Sequence, residues 1–279
     1  MCRPEHFRVD YAINPWMDPA TPVNAMRALQ QWETLRAAIE AAGAQVEIIA
    51  GEPEHPDMVY AMNFGLIDGD QVLLTRFRHH QRRAEARAAA AWFEANGFRV
   101  QPLAGAGAFE AGDAFLLGDA LVVAHGPRTD LSAHRDIAAV LGVRVAPIRV
   151  VHPALYHLDL SLCPLDERRA LVVPSAWDAA GGSLVGALVP EPLVLTEEEV
   201  FTFCANSIVV EDTVIMPACP DRVRRQLETW GFHVVLVDVS ELHRGGGSIR
   251  CMTLPLDTSL DAARRTAFAG DAWPRALAV

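Results

Sequence analysis

The chain has 279 residues, a formal charge of −11 and five cysteines. That length accommodates one large domain or two small ones, and 51% apolar with 21% charged residues is the balance of a globular protein with a sizeable core. The net negative charge, with no basic face interleaved with aromatics, argues against a nucleic-acid partner. No apolar run approaches the ~18 residues of a membrane span.

The start, Met1-Cys-Arg-Pro-Glu-His, lacks the apolar stretch of a secretory signal. The cysteines Cys2, Cys163, Cys204, Cys219 and Cys251 are odd in number, widely spaced and free of any CxxC pair. These features predict free thiols in a reducing, cytoplasmic setting.

In chain order, the first predicted helix runs from Ala25 to Ala42, with Leu29, Trp32, Leu35 and Ile39 on one side. Gly43 and a β-branched strand at Val46-Glu-Ile-Ile49 follow. The same sequence of amphipathic helix, glycine stop and strand recurs at Arg82–Asn96 with Gly97-Phe-Arg-Val100. It recurs again at Leu131–Leu141 with Gly142-Val-Arg-Val145, and at Asp221–Trp230 with Gly231 to Val237. Trp177–Thr196 fits less well, because Gly181-Gly182 and Pro190-Glu-Pro192 interrupt it; a weaker helix and a looped strand are expected there. Asp68-Gly69-Asp70 and Gly118-Asp119 lie between apolar runs and predict hairpins.

A second periodicity runs through the first. Asn63, Asp113, Asp159, Asn206 and Cys251 each head an apolar, strand-like run, at steps of 50, 46, 47 and 45 residues. Each unit therefore reads as strand, turn, strand, helix, strand. Strands within the repeat exclude a purely helical solenoid, and helices within it exclude an ordinary all-β propeller. No linker or low-complexity tract divides the chain, so a single α/β domain spanning 1–279 is expected. If the polar heads face one axis, a thiol, acids and amides meet there.

Several residues have side chains suited to chemistry. Cys251 follows Arg244-Gly-Gly-Gly-Ser-Ile-Arg250, where three glycines permit close approach of a ligand; the alternative is a buried strand cysteine. A phosphate-cradling loop lacks its GK[ST] pattern. In a strand, His157 and Asp159 share a face, which suits a histidine tuned as a proton carrier; a core histidine bonded to a neighbour is the plainer reading. His152, His157 and Asp159 match no strong zinc spacing. Glu110 and Asp113 flank Gly112 in a loop able to aim both inward, or in a simple turn. His79-His80 and the five arginines from Arg76 to Arg87 read as a solvated helix start. Recurring carboxylates suit a planar cation such as a guanidinium, which they hold by paired hydrogen bonds.

Taken together, Glu110-Ala-Gly-Asp113, His157-Leu-Asp159, the glycine-rich approach to Cys251-Met-Thr-Leu-Pro and Asn14-Pro-Trp-Met17 resemble the guanidino-group-modifying enzymes. These include arginine deiminase, dimethylarginine dimethylaminohydrolase, arginine dihydrolase and glycine amidinotransferase. The resemblance runs from Tyr11 to Leu256 and rests on the order and spacing of motifs that are individually weak. It implies the pentein fold, an α/β-propeller of five ββαβ-type units with pseudo-fivefold symmetry and a site on the axis.

It implies Cys251 as nucleophile, His157 as general acid and base, and Glu110 as the acid that binds the guanidinium. Asp159 is implied as the second acid of the histidine motif, with Asp113 serving structure. Arg82 and Arg128 are implied to hold the substrate's α-carboxylate, Asp57 its amino end, and Asn14 to lie near the site. Asn63 stands where deiminases and dimethylargininases carry aspartate and where arginine dihydrolases carry asparagine.

The implied function is therefore an arginine dihydrolase releasing ornithine, carbon dioxide and ammonia. The alternatives are a dimethylarginine dimethylaminohydrolase, an arginine deiminase and an inactive pentein binding module. No metal or other cofactor is implied. The expected partner is a small guanidino substrate, and homo-oligomers occur in the family.

Overall fold

The computed structural model describes residues 1–268, so the last eleven residues of the expected 1–279 domain lie outside the described part. Helix α1 (Ala25–Ala41) opens the regular structure. The Asn24 side chain caps it by accepting from the Arg27 amide, and Ala28, Trp32, Leu35 and Ile39 form its buried stripe. The strand expected at Val46–Ile49 does not form; only Ile49 pairs, in one parallel bridge to Cys2.

Four units of identical topology follow. The first comprises β1 (Gly65–Asp68), β2 (Gln71–Leu74), α2 (Glu85–Ala95) and β3 (Arg99–Gln101). The second comprises β4 (Ala114–Leu117), β5 (Ala120–His125), α3 (Ala133–Leu141) and β6 (Val145–Arg149). The third comprises β7 (Leu162–Pro164), β8 (Arg169–Val172), α4 (Ala179–Leu188) and β9 (Glu191–Val194), with the short α5 (Glu197–Val200) after it. The fourth comprises β10 (Ile208–Val210), β11 (Thr213–Met216), α6 (Asp221–Thr229) and β12 (His233–Leu236). Helix α7 (Asp261–Phe268) closes the described chain.

In each unit the first two strands form an antiparallel hairpin, and the helix returns the chain to pair in parallel with the second strand. This gives four three-stranded sheets. The α/β reading of the repeat is met, and the hairpins at Gly69 and Gly118 turn through left-handed glycines at φ 60° and 58°. The region after Cys251 forms no strand among the described residues, so the fifth repeat head leads into irregular backbone.

The glycine-interrupted helix is regular after all. Asp178 caps α4 by accepting from Gly181, and a side chain on Gly181 would meet Ile148 Cγ2 at 2.9 Å. The glycine therefore lets α4 lie against β6 and is retained for packing, at a cost in helix propensity. The middle strands are mostly buried, as in β5 (Ala120–Val123 at 0–1% exposed), whereas the third strands β3, β9 and β12 are largely half-buried or exposed.

Within this frame the polar heads do not occupy the first strand position. Asn63, Asp113 and Asp159 sit in single 3-10 turns (Ala61–Phe64, Ala111–Asp113, Leu158–Leu160) immediately before β1, β4 and β7. Asn206 and Cys251 occupy comparable turns. Leu121 is fully buried in the middle strand of its sheet. We expect Leu121→Ala to lower unfolding free energy by about 2–5 kcal/mol, read as a lower urea midpoint with an unchanged slope.

Candidate active site

Seven of the ten residues singled out from sequence line one cavity: Asn14, Asp57, Asn63, Arg82, Arg128, His157 and Cys251. Glu110, Asp113 and Asp159 stand immediately behind, bonded to lining groups or to the backbone beside them. The free space is about 10 Å³, close to the room one water needs. A ligand of amino-acid size therefore requires the lining segments to part.

The thiol is positioned by an asparagine. Asn206 Oδ1 accepts from the Ser248 and Cys251 amides at 3.0 and 3.2 Å. Its Nδ2 donates to Asp159 O at 2.8 Å and to Cys251 Sγ at 3.2 Å. All four bonds of this amide are thus spent on fixing the nucleophile turn. Sequence reasoning placed Asn206 among the five repeat heads but assigned it no role; its position in the repeat was the signal.

Cys251 in turn donates to Asp159 Oδ2 at 3.5 Å. Burial first, and the neighbouring Asp159 second, push this thiol well above its ordinary pKa, so the unliganded protein holds it protonated. Burial likewise raises Asp159 to about 7, against the opposing pull of Arg250.

His157 and Asp159 were expected to share a strand face. Instead His157 is extended (φ −121°) and caps the 3-10 turn that carries Asp159, so the two side chains serve different partners. His157 Nε2 meets Glu110 Oε2 at 2.9 Å, and Asp159 faces the thiol. Three donors engage Glu110. Its Oε2 also accepts from Arg128 Nη1 at 2.9 Å, and its Oε1 accepts from the Arg78 amide at 3.2 Å. Burial alone would raise the Glu110 carboxyl, but Arg128 and then His157 hold it well below the ordinary range. An ionised Glu110 fixes the proton on His157 Nε2, and Nδ1 is left buried with no bonding partner. Asp113 Oδ1 accepts from the Leu158 amide at 3.0 Å, and burial raises the group to about 6.

Arg82 is not part of a solvated helix start. It is 3% exposed, its Nε and Nη2 grip Glu85, Nη2 also donates to Asp57 O at 3.1 Å, and its guanidinium lies over Phe77. These bonds leave Nη1. Arg128 lies over the Tyr156 ring at 4.4 Å and donates from Nη2 to Ile13 O. Asp57 Oδ2 accepts from Tyr11 at 2.8 Å, whereas Oδ1 is buried and unbonded. With His157 Nδ1 and Asp159 Oδ1, that makes three buried polar atoms without partners around one cavity. Such atoms are costly unless a ligand completes them.

The glycines serve close approach, but of the protein's own side chains. A Cβ at Gly245 would collide with Tyr60 Oη, one at Gly246 would meet Asn14 Oδ1 at 2.5 Å, and one at Gly247 would meet Cys251 Cβ at 2.9 Å. Asn14 Nδ2 donates to Gly245 O, so it ties the N-terminal segment to this loop. At Gly112 a Cβ would lie 2.9 Å from Asp159 Oδ2 and 3.0 Å from Asn63 Oδ1. Among the described residues no group of three acid, histidine or cysteine side chains is disposed to hold a metal.

Residues 3–258 match the family described as N,N dimethylarginine dimethylhydrolase, eukaryotic. The chain belongs to that family. It is 38% identical over 257 residues to the N(G),N(G)-dimethylarginine dimethylaminohydrolase of Mycobacterium tuberculosis, covering 92% of this chain and 84% of that one. It is also 36% identical over 260 residues to a bifunctional arginine dihydrolase/ornithine cyclodeaminase of Synechocystis. That match covers 91% of this chain but 37% of the relative, so the chain spans little more than a third of that protein.

The crystal structure of the product-bound N-terminal domain of ArgZ, an arginine dihydrolase from cyanobacteria, matches with a TM-score of 0.89 at 34% identity, over 93% of this chain and 97% of that domain. A dimethylarginine dimethylaminohydrolase adduct shares the fold at 23% identity with a TM-score of 0.77. The family member described here is thus a pentein-type guanidino-modifying enzyme, a hydrolase acting on C–N bonds. No described helix is long and apolar enough to cross a membrane.

Two outcomes follow from this geometry. Gly112→Ala is expected to leave the fold intact, read by circular dichroism, while displacing Asn63 and Asp159 and lowering kcat by about a hundredfold. For stability, the Asp159 carboxyl ionises at an ordinary value of 3.8 when unfolded and at about 7 when folded. The protonated form is therefore favoured by folding, and this group's contribution falls as pH rises between those values. Asp159→Asn is expected to match the parent near pH 4 in urea midpoint and to exceed it progressively up to about pH 7.

Proposed function

We propose that this enzyme is an arginine dihydrolase, converting arginine and two waters to ornithine, carbon dioxide and two ammonia molecules. The observation that carries the reading is the orientation of Asn63. Its Oδ1 accepts from the Gly112 amide at 2.9 Å, which directs Nδ2 away from that bond as a donor on a cavity-lining residue. A guanidinium offers only donors, so an aspartate would serve it better. The ureido group of citrulline has an acceptor oxygen, which an amide N–H matches and a carboxylate repels. A site that binds citrulline well carries it into a second hydrolysis.

In the first round Cys251 Sγ attacks the guanidinium carbon. The substrate's positive charge favours the thiolate, which offsets the burial that keeps the free thiol protonated. His157 Nδ1 takes the thiol proton as the sulfur–carbon bond forms and passes it to the departing amine, ammonia leaves, and the same imidazole takes a proton from the water that cleaves the Cys251–carbon bond, giving citrulline and returning the proton to the sulfur. In the second round the thiolate attacks the ureido carbon and expels ammonia. Water then releases a carbamate, which breaks down to ornithine and carbon dioxide.

Glu110 acts through His157, holding its tautomer. Asp159 and Asn63 contact the planar group, Asp57 Oδ1 takes the α-ammonium, and Arg82 Nη1 and Arg128 hold the α-carboxylate. Asn14 and Asp113 keep the turns in place. We place the chain in one domain of five units about a common axis, the fifth formed by the Cys251 segment with the Cys2–Ile49 bridge. The backbone bond from Met62 N to Cys251 O joins that segment to the first unit. Five free cysteines fit a cytoplasmic setting.

The 38% identity to a dimethylarginine dimethylaminohydrolase favours, as second reading, release of dimethylamine and citrulline from dimethylarginine. Chromatography after separate incubation with arginine, dimethylarginine and citrulline decides. Ornithine from both arginine and citrulline is expected, and citrulline as sole end product from arginine would overturn the dihydrolase. Asn63→Asp is expected to stop at citrulline. Cys251→Ser is expected to abolish turnover with fold retained; residual hydrolysis in that variant removes the thiol from the mechanism.

A further inference from the structure

The arginine-rich stretch after β2 has a second use that the reaction does not absorb. Beside β2 and the start of α2 lies a groove of about 850 Å³, whose far wall is the segment from Pro102 to Ala108. Its charged walls are Arg76, Arg78 and Arg83 against one carboxylate, Asp130. Asp130 is already paired with Arg78 and accepts from the Ala108 amide at 2.8 Å. The other two guanidiniums touch only backbone carbonyls. Arg76 Nη2 donates to Leu103 O at 2.8 Å, while Arg83 donates from Nε to Phe77 O and from Nη2 to Arg78 O. Among the described residues neither has a carboxylate within ion-pair distance, in a protein whose formal charge is −11.

Two donor atoms on this wall are also orphaned. Thr75 is 3% exposed, and its Oγ1 is buried with no bonding partner; Arg76 Nη1 is buried and unbonded as well. A hydroxyl and a guanidinium nitrogen left unpaired on adjacent residues lose hydrogen bonds that water would have given them. Backbone carbonyls hold the cationic forks in place without neutralising them. Guanidiniums in excess over the single, already paired carboxylate, and fixed in position, describe a receptor for an oxyanion. Guanidinium forks match phosphate oxygens in pairs, and the volume lies within the range of small-molecule sites.

We propose that this groove is a binding site for a phosphate-bearing small molecule, separate from the Cys251 cavity, with Thr75, Arg76 and Arg83 as its oxyanion donors. The chemistry shared by free phosphate and a nucleotide phosphate is what the groove recognises.

The test is calorimetric titration of the full chain at low ionic strength with inorganic phosphate and, separately, with ATP. Hydrogen–deuterium exchange locates the binding. At least one probe is expected to bind with Kd below about 1 mM, protecting residues 74–83 and 102–108. The Arg76→Gln/Arg83→Gln double variant is expected to bind about tenfold more weakly or worse. Binding of ATP alone assigns the site to a nucleotide, and binding of phosphate by itself, or of both, to the oxyanion. No heat from either probe up to about 10 mM, protection confined to the walls of the Cys251 cavity, or unchanged affinity in the double variant overturns the proposal. If the double variant does not fold, Arg83→Gln alone, at an exposed side chain, makes the same comparison.

Discussion

One buried carboxylate organises the site. Glu110 is fully shielded from solvent and ionised, because Arg128 and His157 share one of its oxygens and the Arg78 amide takes the other. Removing any one partner leaves a charge in low dielectric, which is among the most costly changes a fold can suffer. The arrangement persists because both oxygens have donors, two on Oε2 and one on Oε1. Its consequence is chemical: the imidazole is locked with Nε2 protonated, and Nδ1 alone is free to exchange protons. Arg128, held by the same acid, is stacked on Tyr156 and cannot drift from the substrate's path.

The polar turns solve a packing problem. A strand buried on both faces cannot carry an acid or amide without breaking its apolar run. Placing the polar residue in the 3-10 turn that precedes the strand lets the backbone bend while the strand stays apolar. Repeating the device at Asn63, Asp113 and Asp159, with comparable turns at Asn206 and Cys251, brings the five together from points far apart in the chain. Each then bonds to a neighbouring turn: Asn63 to Gly112, Asp113 to Leu158, and Asn206 to Asp159 and Cys251. The site is a chain of such contacts, and Gly112 and Gly247 lack side chains so that the contacts can close.

Much of this was legible beforehand. The spacing of the heads, the four clear helices and the two glycine hairpins follow from local rules that act within a few residues, and the structure has them where periodicity and turn chemistry predict. At the site, local reading and tertiary structure part company. The common face of His157 and Asp159 assumed an extended chain through both, but the turn rotates them apart. Glu110, implied by the resemblance to bind the guanidinium, meets Arg78, Arg128 and His157 in the structure. Arg82 reads as surface in an arginine-rich stretch, but Glu85 three residues on gives it a partner that makes burial tolerable.

By itself the sequence determined the α/β repeat, the family resemblance and the set of side chains available for chemistry, because hydrophobic period, glycine and residue type are local properties of the chain. Tertiary structure alone decided which acid holds the imidazole and which faces the thiol. It also decided that the thiol rests protonated and that Asn63 Oδ1 is bonded to the Gly112 amide. Those outcomes depend on contacts between residues 45 or more positions apart and on burial, and neither is written in any short stretch of residues.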